Sequence, residues 1–62
     1  MNRIVKTLME RDGMTEEAAQ NLFNDAKADF DQLLANGDMD AAYEVCEEYF
    51  GLEPDFIEDL LD

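Results

Sequence analysis

Glycine occurs at positions 13, 37 and 51 and nowhere else, and each follows a stretch whose apolar residues recur at helical spacing. Just past a helix C-terminus the backbone commonly turns left-handed, a conformation glycine adopts without steric cost. Each glycine therefore reads as a helix stop, and together they divide the chain into four segments. No segment alternates apolar and polar residues as a half-buried strand does, and none carries a hairpin turn or a β-branched run. The expected fold is all-α: a small bundle of three to four helices, forming one helical domain over residues 1–62. The helices are expected at about 3–11, 16–35, 39–49 and 54–61.

The first segment carries Ile4, Val5, Leu8 and Met9 on one stripe, with Asn2 placed to cap it. The second begins at Thr15, an N-cap residue, followed by Glu16 and Glu17 at the positive end of the helix dipole. Its apolar residues fall at 18, 19, 22, 23, 26, 30, 33 and 34, a 3.6-residue period sustained over five turns. Asn36-Gly37 ends it. The third opens at Asp38, another capping residue, and shows Ala42, Val45, Cys46, Tyr49 and Phe50 on one face. Gly51 followed by Leu52 predicts a Schellman ending. In the fourth, Pro54 suits a first helical position and Phe56, Ile57, Leu60 and Leu61 repeat the stripe. The predicted core is Ile4, Leu8, Leu22, Phe23, Ala26, Phe30, Leu33, Ala42, Val45, Tyr49, Leu52, Phe56, Ile57 and Leu60. The methionines Met9, Met14 and Met39 read as gap-fillers at helix ends.

At 62 residues such a chain has little core to spare. Small domains compensate with disulfides, a metal, oligomerisation or regular helix packing. Cys46 is the lone cysteine, so no intrachain disulfide forms, and four Cys or His ligands for zinc are missing. Helix packing remains, with a homodimer as one further way to cover apolar surface. No apolar run approaches the roughly 20 residues of a membrane span. Met1 to Arg11 shows no signal-peptide pattern, and a lone cysteine fits a reducing cytoplasm.

Catalytic chemistry lacks its usual groups. The chain holds no His and no Ser. Cys46 lies mid-helix on an apolar stripe between acids, which favour the neutral thiol of a buried small hydrophobe. Paired carboxylates serve glycosidases, but those enzymes need a cleft that a small bundle does not offer. Asn36, Asp38, Asp40, Glu44 and Glu47 fall at the oxygen-ligand spacing of an EF-hand loop, yet Ala41 stands where that loop turns on glycine. The apolar spacing from Ala42 to Phe50 asks for helix there instead. The chain thus reads as a non-enzyme with no cofactor and no metal ligand set.

Charge is the informative property. The chain has 17 acidic and four basic residues, a net of -13 at pH 7. Arg3, Lys6 and Arg11 stand against Glu10 and Asp12 in the first 12 residues, for a net of +1. Beyond them Lys27 alone faces 15 acids, for a net of -14. Contact with nucleic acid or an anionic membrane is disfavoured, because both need cationic surface. A protein partner with a basic surface fits instead. The candidate binding residues are Asp25, Asp29, Asp40, Glu44, Glu47, Glu48, Asp55, Glu58, Asp59 and Asp62. Carboxylates at i, i+3 and i+4 recur every 5–6 Å or so along a helix, while DNA carries one charge per roughly 1.7 Å of axis. Packed acidic helices can thus offer a DNA-like field. The competing reading is a solvated acidic face that serves solubility, with the first helix's cations relieving local repulsion.

Asp12-Gly13-Met14-Thr15-Glu16-Glu17-Ala18 and Gly51-Leu52-Glu53-Pro54-Asp55-Phe56-Ile57-Glu58-Asp59-Leu60-Leu61 resemble segments of short acidic helical proteins of bacteriophages and prophages. The resemblance implies an accessory protein of a mobile element acting in the bacterial cytoplasm. Small acidic phage proteins include inhibitors of host restriction, CRISPR and transcription machinery, several of them DNA mimics. The Gly13-Met14 turn and the Asp38–Phe50 helix are also similar to ubiquitin-associated domains, although the second helix is long for that fold. The functional expectation is an interaction protein whose acidic face binds a basic host or phage protein. A phage structural or assembly component and a calcium-responsive module are the alternatives.

Overall fold

A computed structural model describes residues 2–61, which form α1 (Arg3–Asp12), α2 (Glu16–Ala35), α3 (Met39–Phe50) and α4 (Ile57–Leu61). A 3-10 turn at Pro54–Phe56 leads into α4. No strand occurs among the described residues, so the all-α expectation holds. The helix starts are set by side-chain caps. Asn2 Oδ1 accepts from the N–H of Ile4 at 2.7 Å, Thr15 Oγ1 from Ala18 at 3.1 Å and Asp38 Oδ1 from Ala41 at 3.3 Å. Each cap satisfies a donor that has no partner inside its own helix.

The expected stops also hold, with one change of detail. Gly37 and Gly51 have φ of 77° and 65°, left-handed values at which a Cβ would be strained. The Schellman pair forms at Gly37: Gly37 N–H donates to Leu34 O at 3.0 Å and Asp38 N–H to Leu33 O at 2.9 Å. At Gly51, where that motif was expected, Leu52 N–H reaches one residue further back, to Cys46 O at 3.1 Å. Leu52 packs partly buried against the core, which draws the chain across the end of α3. The fourth helix also starts differently from expectation. Phe56 N–H donates to Glu53 O at 3.1 Å, and Glu53 makes no side-chain cap. A proline without an N–H and an uncapped start favour the tighter i+3 bond of a 3-10 turn.

α2 packs against both α1 and α3, while α3 also meets the 3-10 turn. Twenty residues of α2 span about 30 Å at 1.5 Å per residue, which sets the long dimension of a 33 × 19 × 17 Å molecule. The core comprises Ile4, Val5, Leu8, Ala19, Phe23, Ala26, Phe30, Ala42, Val45, Cys46, Phe50, Ile57 and Leu60. Five residues predicted for it, Leu22, Leu33, Tyr49, Leu52 and Phe56, are partly buried at its margin instead. Val5, Ala19, Cys46 and Phe50 take the inner places. The small Ala19, Ala26, Ala42 and Cys46 are completely buried, as close approach of helix axes requires. Met9 and Met14 pack against the core as expected, but Met39 does not: it is 46% exposed.

Candidate functional site

The chain's four cations are all engaged by groups of the chain itself. Arg3 Nε donates to Asp59 Oδ2 at 3.0 Å, and its guanidinium lies 4.8 Å from the centre of the Phe56 ring. Asn2 Nδ2 donates to the Asp59 carbonyl at 3.1 Å, so the start of α1 is tied to α4 twice. Arg11 holds both carboxylate oxygens of Asp12, at 2.8 and 2.9 Å, and also donates to the carbonyl of Phe50, closing the C-terminus of α3. Lys27 donates to the Leu60 carbonyl near the end of α4 and lies 3.9 Å from Asp31. Lys6 lies 3.9 Å from Glu10 on the surface of α1. A cation on the last carbonyls of a helix satisfies acceptors that the helix leaves open. Arg3, Arg11 and Lys27 thus fasten helix ends together.

This use of the cations divides the ten candidate acids. Asp59 is neutralised by Arg3, whose pKa is raised chiefly by that hydrogen bond and by the charge of Asp59. Asp29 accepts the phenolic O–H of Tyr49 at 3.0 Å and is half-buried. Asp25, Asp40, Glu44, Glu47, Glu48, Asp55 and Glu58 are exposed, and none of them forms an ion pair among the described residues. Asp62 lies outside the described residues. Two groupings emerge. At the α2–α3 seam the hydrogen bond to Asp29, burial, the charges of Asp29 and Asp25 on α2 and that of Glu48 on its own helix all raise the pKa of Tyr49. At the start of α1, Arg3 feels Asp59, Glu58 and Asp55.

On α3 the acids are ordered by helix geometry. Asp40, Glu44 and Glu48 stand at i, i+4 and i+8, one row on the solvent side. Beside it runs the row Met39, Tyr43, Glu47. Tyr43 is 49% exposed, and sequence periodicity did not single it out. Its signal was the i, i+4 pairing with Met39 directly beside the acidic row. The helix over Met39–Phe50 also occupies the stretch that a calcium loop would have to wrap. The Asp38 carboxylate is turned to the N–H of Ala41 as a cap.

Cys46 is fully buried, and burial followed by the charge of Asp59 pushes its thiol up from the usual range. It is therefore held neutral, away from nucleophilic form. A shallow groove between α1 and α2 is lined by Asn2, Val5, Glu16, Glu17, Gln20 and Asn21, three amides, two acids and a valine, with no nucleophile among them. No helix among the described residues is long and apolar enough to cross a membrane. Comparison with models of protein families, with curated proteins and with solved structures finds no match to this chain.

Proposed function

We propose that this protein is a non-enzymatic interaction module that binds a basic protein surface through its exposed carboxylates. The observation that carries this reading is the division of charge. Each of the four cations has an acidic partner within the chain, while seven of the candidate acids are exposed with no ion pair among the described residues. The field along the solvent side of α3 is therefore negative, while at the α4 end Arg3 offsets part of the charge of Asp55, Glu58 and Asp59; negative fields of this kind steer and select cationic partners. What supports a DNA-like presentation is the row Asp40, Glu44 and Glu48, whose carboxylates recur every 5–6 Å or so along α3. The resemblance to small acidic phage proteins points the same way, toward an accessory factor that meets a DNA-binding host or phage protein.

The test is capture from a bacterial lysate at low salt, comparing the wild type with a triple variant E44Q/E47Q/E48Q. The expected result is one or a few cationic proteins, retained by the wild type, released by salt and lost from the variant. Capture that survives both high salt and the variant would refute the role of the carboxylates.

A further inference from the structure

We infer that the exposed face of α3 is a mixed apolar and acidic docking strip for an amphipathic basic helix of a partner protein. The inference rests on the proposed binding of a basic protein and names where and how it happens. Met39 and Tyr43, 46% and 49% exposed, are two of the three large hydrophobic side chains left exposed among the described residues. They sit one helical turn apart, and the same row continues into Glu47. The parallel row is Asp40, Glu44 and Glu48. Each row spans about 12 Å at 1.5 Å per residue, the length of two turns of a partner helix.

Charge complementarity selects the occupant. No cation follows Lys27 in the sequence, so the strip has no positive residue of its own on α3 or beyond. A second copy would bring one acidic row against another, and like charges across an interface are strongly disfavoured. A purely cationic segment would pair with the acidic row and leave Met39 and Tyr43 in water. A helix with an apolar stripe flanked by Lys or Arg meets both rows at once, the helix-on-surface mode read as i, i+4 anchors. Tyrosine and methionine suit that role, the first as a large amphipathic anchor and the second as an adaptable one. The apolar row gives selectivity that charge alone does not, since hot spots concentrate on a few buried anchors.

Two synthetic helical peptides of equal length and equal positive charge test this. One carries a leucine stripe beside its lysines, and the other has glutamine in place of each leucine. Binding is followed by backbone amide NMR shifts at low salt. The leucine peptide should bind about tenfold more tightly, with its shifts centred on Met39, Asp40, Tyr43 and Glu44. A double variant M39Q/Y43Q, checked for retained helicity, should bind both peptides equally. Equal binding of the two peptides by the wild type, with shifts spread over α2 and α4, would overturn the strip and leave the acidic-surface reading standing. Failure of both peptides to bind would overturn both. A wild-type dimer in sedimentation that Y43Q dissociates would assign the strip to a second copy and overturn the inference.

Discussion

Tyr49 and Asp29 are separated by 20 residues in sequence and joined by a 3.0 Å hydrogen bond in the fold. The bond and the surrounding acids disfavour the phenolate, so the Tyr49 pKa lies above its ordinary value. The raised value fixes a sign. The pair stabilises the fold fully below the pKa of an unfolded tyrosine, about 10, and loses that effect as pH rises through the higher folded value. An absorbance titration of the Y43F variant should place the Tyr49 midpoint above about 10, and D29N should lower it. A midpoint at or below that of a free tyrosine would contradict the bond. Gly37 offers a backbone counterpart. Its φ of 77° leaves open space around a new Cβ, so Gly37→Ala meets only conformational strain. Denaturant unfolding should show a loss of about 1–2 kcal/mol. At this scale the sequence was legible wherever the cause was local. Asn2, Thr15, Asp38 and the left-handed glycines act on neighbours within a few positions. Asp29 and Asp59 were counted among free carboxylates because their partners, Tyr49 and Arg3, are brought near only by tertiary packing.

Helix α2 joins the molecule together, because it alone packs along both α1 and α3. Its central side chain, Phe30, is 2% exposed. Phe30→Ala should cost about 3–5 kcal/mol through lost burial and a residual cavity. A chain of this size has roughly 3–9 kcal/mol in total, so the urea midpoint of the variant should fall by about a third or more. A loss below about 1 kcal/mol would mean that the core collapses around the gap. The periodicity of α2 showed which side faces inward, but not which residues of that side lie deepest. Leu22 and Leu33 sit at the edge of the stripe, and Ala19 lies at its centre. Depth depends on where α1 and α3 cross, which no single helix encodes. The same limit hid Tyr43, which a helical wheel places beside Met39 at the border of the buried face.

For the molecule as a whole, a net charge of -13 on 62 residues must be held together against its own repulsion. Salt screens that repulsion more than it weakens the few cation contacts. If screening recovers about 1 kcal/mol, the melting temperature should rise by about 4–8 °C between low and high salt. A fall on adding salt would mean that the clamps of Arg3, Arg11 and Lys27 outweigh the repulsion. Asp12 gives the response to acid a sign. Its bond to Arg11 holds its carboxyl below the usual range, so its contribution is present above the unfolded pKa and is lost as pH falls through the folded one. The difference in melting temperature between the wild type and D12N should therefore shrink as pH falls through that window.

The most direct measurement of the acidic-surface claim is the dissociation constant for the captured partner between about 50 and about 500 mM salt, for the wild type and for D40N/E44Q/E48Q. Affinity should fall steeply with salt in the wild type, and the variant should be weaker at low salt with a flatter dependence. An affinity indifferent to salt, and equal in the two proteins, would contradict the claim.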